Sequence, residues 1–157
     1  MIGAGDPSLI KTLAAVADAM SPALRPWWVI GSAAVALHGA DAGKVGDVDI
    51  LVDPSDADAL FRRLGVAALD LLPHPLFRSE RFARWAVHPL PVEMMAGFAI
   101  ATTGGWQRLE PATRHGIAVD GRIIHVPARE ELIAILGRIG RPKDVARAAA
   151  LEGREPG

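Results

Sequence analysis

Two aspartates separated by a single valine, Asp47-Val48-Asp49, run directly into Ile50-Leu51-Val52. Acids alternating with β-branched and aliphatic residues predict a strand over 45–52. Side chains two apart on a strand share a face, so both carboxylates point the same way, their Cα atoms roughly 6.5 Å apart. Like charges this close repel unless a cation lies between them. Oxygen donors suit a hard divalent ion, and Mg²⁺ is the expected one. A third acid, Glu93, stands alone in the apolar run Pro91-Val92-Glu93-Met94-Met95, on a strand expected over 90–95. A lone glutamate in such a setting must be paired, metal-bound or turned outward. Beside Asp47 and Asp49 it completes a set of carboxylates able to hold two metal ions about 3.5–4 Å apart. Upstream, Gly31-Ser32 follows the apolar run Trp27-Trp28-Val29-Ile30 and opens a helix. Read alone, Gly31-Ser32 is an ordinary helix start. Placed before the acid pair, it is a phosphate cradle: glycine allows close backbone approach, the helix start offers free N–H groups, and Ser32 adds a hydroxyl.

The elements that must position these residues are legible in outline. A helix is expected over 7–20, with Leu9, Leu13, Val16 and Met20 at helical spacing and prolines 22 and 26 ending it. Residues 27–30 read as a buried strand, 33–37 as a short helix and 40–46 as a glycine-containing loop. Asp53 or Ser55 can cap a helix reaching Leu64. Strands are expected over 82–87 and 90–95, with His88-Pro89 as the turn between them. A hairpin is expected over 116–126, turning at Asp120-Gly121. Helices over 129–136 and 143–151 follow. The order implies an α+β fold, a mixed sheet packed by helices in two layers.

At 157 residues the chain is sized for one domain, 1–157. Hydrophobic residues make up 50% and charged residues 22%, which excludes a disordered chain. Seventeen Lys and Arg face eighteen Asp and Glu, a net charge of -1 that argues against a large basic nucleic-acid surface and leaves a local patch open. The absence of cysteine removes disulfides, thiolate metal sites and thiol catalysis. No signal peptide is expected at the N-terminus. The uncharged stretch 26–40 is shorter than the about 18–20 apolar residues of a membrane span, so a cytoplasmic protein without membrane partners is expected. The histidines at 38, 74, 88, 115 and 125 lack metal-ligand spacing. Arg78, Arg81 and Arg84, beside Phe77 and Phe82, read as a solvated basic face, with an acceptor site as the other possibility. Trp27 and Trp28 read as core and half-exposed strand neighbours rather than a stacking platform.

The spaced set Ile30-Gly31-Ser32, Asp47-Val48-Asp49-Ile50 and Glu93 resembles the nucleotidyltransferase superfamily that includes DNA polymerase β, the antibiotic adenylyltransferases and many small bacterial toxins. The resemblance covers residues 27 to 100. Fourteen residues separate Ser32 from Asp47, more than that pattern usually has, and Glu stands where the third acid is often Asp. Arg141-Pro142-Lys143-Asp144 is similar to a segment common in small members, where a helix-borne lysine meets phosphates. The resemblance implies a metal-dependent transfer of a nucleoside monophosphate from an NTP to a hydroxyl acceptor. It implies two Mg²⁺ ions on Asp47, Asp49 and Glu93, with Gly31, Ser32, Lys44 and Lys143 serving the nucleotide and Glu93 helping as base. Two alternatives stay open at this point. One is a catalytically weak or inactive nucleotide-binding module that docks a partner. The other is the toxin of a toxin–antitoxin pair, acting on RNA or a partner protein.

Overall fold

The computed structural model describes residues 5–153. Helix α1 spans Pro7–Met20, with the Asp6 carboxylate accepting from the Ser8 N–H as N-cap and Pro7 at the first helical position, where its missing N–H costs nothing. Strand β1 (Trp28–Ile30) leads into α2 (Gly31–Leu37), followed by β2 (Val48–Val52) and α3 (Pro54–Leu64). Asp53 caps α3, and Gly65 ends it in the left-handed conformation at φ 68°. Then come β3 (Phe77–Arg78), β4 (Arg81–Trp85), β5 (Val92–Ala96), β6 (Ala99–Thr102) and β7 (Gly105–Arg108). The hairpin of β8 (His115–Val119) and β9 (Arg122–Val126) turns through Asp120 and Gly121, both with positive φ, 50° and 75°. That pair of angles suits a type I′ turn. Helices α4 (Arg129–Ile139) and α5 (Pro142–Leu151) follow.

The four-stranded sheet has the order β1-β2-β5-β4. β2 and β5 are parallel neighbours at its centre, while β1 and β4 pair antiparallel on either side. A smaller sheet, β3-β6-β7, stands beside it. This is the mixed α+β architecture expected from the element order. Alternation along the strands divides the main sheet into two faces. Val29, Val48, Ile50, Val52, Val92, Met94 and Ala96 point to the larger core, with Leu9, Leu13 and Val16 of α1, the small residues of α2, and Leu60 and Phe61 of α3. The opposite face carries Ile30, Leu51 and Met95, which pack with Phe98, Ile100, Leu109 and Ile135 in a second apolar cluster.

Two local differences from the expected strands have clear causes. β2 begins at Val48 rather than 45, where the Val48 N–H donates to Pro91 O at 2.9 Å and starts the parallel ladder. Asp47 therefore lies just ahead of the strand. The β3-β6-β7 sheet was not anticipated, because its strands have two to four residues and β7 is exposed throughout, leaving no alternation to read. Among the described residues no helix is long and apolar enough to cross a membrane.

Thr12 links α1 to the central strands. Its hydroxyl, fully buried, donates to Ser8 O at 2.9 Å and accepts from the Leu90 N–H at 3.1 Å. Leu90 immediately precedes Pro91, whose carbonyl opens the β2–β5 ladder. Thr12→Val, nearly isosteric, leaves the Leu90 N–H without its acceptor. The expected loss is about 1–3 kcal/mol of unfolding free energy, measured by urea denaturation.

Candidate active site

One row of residues crosses the main sheet in register. Ile30 of β1 faces Asp49 of β2, Asp49 faces Glu93 of β5, and Glu93 faces Arg84 of β4. The parallel pairing of β2 and β5 sets the two carboxylates side by side on the face turned away from the larger core. Asp47, two residues ahead of Asp49, joins them. Carboxylate oxygens of Asp47, Asp49 and Glu93 lie within 4.8 Å of one another. The adjoining row, Trp28, Leu51, Met95 and Phe82, is apolar and lies next to the acids on the same face.

Gly31 closes the cluster from the β1 side. Its φ is +69°, and a Cβ there would stand 3.0 Å from Asp49 Oδ2. The backbone angle favours glycine, and a side chain there would also crowd the Asp49 carboxylate. Ser32, buried, follows in the first turn of α2.

The electrostatics are severe. Asp49 Oδ1 is sealed from solvent and has no hydrogen-bond partner. Burial pushes the Asp49 carboxyl up to about 8. The charges of Asp47 and Glu93 and hydrogen bonding to Glu93 act in the same direction, and Arg141 opposes them. Arg84 stands 3.6 Å from Glu93 and half-exposed, so it offsets part of the negative charge at the β4 edge only. A buried acceptor without a donor is costly, and a divalent ion is the group that oxygen donors of this kind satisfy. The donor set fits Mg²⁺.

The cluster opens into a cleft of about 730 Å³. Ser32, Lys44, Arg141, Lys143 and Arg147 line it, as do the apolar Leu72, Phe77, Phe82, Met95, Phe98 and Ile139. All of Gly31, Ser32, Lys44, Asp47, Asp49, Glu93 and Lys143 thus meet around a single cavity. Arg141 and Arg147 were not singled out from the sequence. Arg147 Nε donates to Ala42 O at 3.1 Å, tying α5 to the loop that carries Lys44. The only signal for either was their place in and just after the Arg141–Asp144 segment.

Arg78, Arg81 and Arg84 do not form the common basic face expected of them. The Arg78 guanidinium lies over the Trp106 ring, 4.5 Å from its centre. Arg81 pairs with Asp58 of α3, and Arg84 with Glu93. Strand alternation separates Arg81 from Arg84, and β3 carries Arg78 to the other sheet. Trp27 is buried against His125, ring centres 5.1 Å apart, and half-buried Trp28 donates through Nε1 to Thr113 O at 2.9 Å, matching the structural role expected for both.

No protein-family model matches the sequence, and no curated protein is significantly similar to it. Solved structures are similar. A protein from Thermotoga maritima assigned as a nucleotidyltransferase superposes with a TM-score of 0.69 at 22% identity, over 84% of this chain and 85% of that one. An antigenic nucleotidyltransferase-like protein from Paracoccidioides brasiliensis gives 0.56 at 17% identity, over 97% and 79%. The lincosamide antibiotic adenylyltransferase LnuA gives 0.52 at 14% identity, over 83% and 87%. The fold is that of the nucleotidyltransferases. This chain is a small nucleotidyltransferase-fold protein.

The crowding of carboxylates has a measurable consequence. The folded-state value of Asp49 lies above its ordinary 3.8, so its contribution to stability is complete below about pH 4 and is lost as pH rises towards 8. In metal-free buffer, Asp49→Asn is expected to melt about 5 °C above the native protein at pH 8. The gap should close as pH approaches 4. Added Mg²⁺ should raise the melting temperature of the native protein at pH 8 and leave Asp49→Asn nearly unmoved.

Proposed function

We propose that this chain transfers a nucleoside monophosphate from an NTP to a hydroxyl acceptor, with Mg²⁺ as its metal. The observation that carries this reading is the buried Asp49 Oδ1 without a partner, inside a three-carboxylate cluster that faces a cleft bordered by cations. Asp47, Asp49 and Glu93 would hold two Mg²⁺ ions. Bound there, the ions supply charge neutralisation for the triphosphate and for the developing negative charge of the displacement.

The chain's own residues account for the rest. Gly31, lacking a Cβ, lets substrate and backbone approach the carboxylates together. The Ser32 hydroxyl donates to a phosphate oxygen. Lys44 and Lys143 border the cleft from separate elements, where their ammonium groups stabilise the leaving pyrophosphate. Glu93, which lines the same cleft, would take the proton of the attacking hydroxyl. The bond formed joins that oxygen to the α-phosphorus, and the bond broken is the α–β phosphoanhydride. The apolar surface of Phe82, Met95 and Phe98 is available to the part of a substrate that does not react.

The test is a melting scan with Mg²⁺ and each of the four NTPs, followed by a search for pyrophosphate release with candidate hydroxyl acceptors. At least one NTP is expected to raise the melting temperature in the presence of Mg²⁺. The double variant Asp47→Asn, Asp49→Asn should abolish that response and reduce pyrophosphate release by at least about 10³-fold. A native protein that responds to no NTP would exclude the proposal.

A further inference from the structure

Arg141 is held in an unusually defined position for a residue at the edge of a cleft. Its partner Asp144 is only 1% exposed. Asp144 Oδ2 accepts from Arg141 Nε at 2.7 Å and from the Arg141 backbone N–H at 3.2 Å, while Oδ1 accepts from Nη2 at 3.1 Å. The guanidinium also lies over the Phe77 ring, 5.0 Å from its centre. Phe77 is itself stacked by His74, with centres 4.9 Å apart and planes inclined by 22°. One edge of the guanidinium is thus occupied by a buried carboxylate and one face is covered by an aromatic ring.

What remains is the edge bearing Nη1. Among the described residues Nη1 has no partner within the protein, and Arg141 borders the same cleft as Asp47, Asp49 and Glu93. The side chain keeps about a third of its surface open, 32%. Its charge is close enough to act on Asp49. An arginine serving only to cap α5 would have no need of the aromatic support or of a place facing the acids. A guanidinium fixed this way meets a phosphate with little further loss of conformational freedom, and its planar fork matches two phosphate oxygens.

We infer that Arg141 is a phosphate-binding residue of this cleft, gripping the triphosphate of the incoming nucleotide, and that Asp144 and Phe77 are the positioning residues that aim it. The inference rests on the nucleotidyl-transfer reading above and adds to it a contact distinct from the two lysines. Lys143, the next residue but one, reaches the cleft on a flexible stem as a point charge. Arg141 supplies direction.

The experiment titrates the NTP that stabilises the native protein best, with Mg²⁺ present, against the native chain, Arg141→Gln, Arg141→Lys and Phe77→Leu. Arg141→Gln removes the cation that Asp144 pairs with, so the melting temperature without ligand is measured for each variant, and Phe77→Leu, which leaves that pair in place, keeps the test decisive. Arg141→Gln is expected to weaken NTP binding by about tenfold or more. Arg141→Lys should recover only part of the loss, because it keeps the charge without the fork. Phe77→Leu should weaken binding in the same direction with the unliganded melting temperature held. Steady-state rates should show the effect of Phe77→Leu in KM for the NTP with kcat little changed. If Arg141→Gln binds the NTP as tightly as the native protein while Asp49→Asn does not bind it, this inference is overturned and the nucleotidyl-transfer reading stands. If the native chain binds none of the four NTPs, both fall together.

Discussion

Three carboxylates held within reach of one another, one of them with an oxygen cut off from water, are the constraint around which this molecule is built. Left to itself such a cluster pushes apart. It persists because Asp49 and Glu93 belong to the two central strands of the sheet, whose parallel ladder is set by backbone hydrogen bonds that neither side chain can relax. Gly31 stands on the third side, where a Cβ would crowd the Asp49 carboxylate. Without a cation the crowding is eased by a proton held on Asp49, and the remaining cost of burying the acids is offset by apolar burial elsewhere.

The two faces of the sheet divide the work. Helices α1, α2 and α3 cover one face with close-packed aliphatic residues, many of them wholly buried. That face supplies the cohesion. The other face holds the acid row and, beside it, an apolar row that merges with Phe98 and Ile135 into a smaller cluster. The second cluster is wall as much as core, since Met95, Phe98 and Ile135 also border the cleft. A single period of two along β2 and β5 thus divides the strands: Val48, Ile50, Val92 and Met94 anchor them in the core, and Asp49 and Glu93 face the cleft.

What could be read in the sequence, and what could not, follows from the range of the interactions involved. Helix α1 was legible to its end residues because its signals are local: an Asp-Pro start, apolar spacing of three and four, and prolines beyond Met20. The Asp120-Gly121 turn is local too. The shared face of Asp47 and Asp49 needed only the strand period. Glu93 was harder, since its meeting with Asp49 depends on a parallel register between segments more than forty residues apart; the feature that drew attention to it was an isolated acid in an apolar run. Arg141 gave no such sign. Its setting is made by Phe77, from a two-residue strand with no periodicity, and by a helix cap that looks like many others. The arginines at 78, 81 and 84 mislead for the converse reason: closeness along the chain suggests one patch, whereas strand alternation and the change of sheet send them to three different partners.

Net charge illustrates the same distinction between sum and arrangement. The chain as a whole is almost neutral, at -1, which argues against a broad basic surface for a long polyanion. A triphosphate makes a different demand. It is small, so only charges within roughly a Debye length, about 8–10 Å at ordinary ionic strength, matter to it. Within the cleft the cations Lys44, Arg141, Lys143 and Arg147 come from the loop before β2 and from the last helix and its cap, and the acids from the central strands. Both signs of charge therefore line the one cavity, with Asp144 of α5 already engaged by Arg141. Without substrate, Arg141 partly offsets the field of the acids at Asp49. On the proposed reading, a metal-bound triphosphate would answer both signs at once, the carboxylates being able to hold the metal and the basic side chains the phosphates. A nearly neutral protein can therefore still line one cleft with both an acid cluster and several bases, an arrangement suited to the metal–anion pair of the proposed reaction.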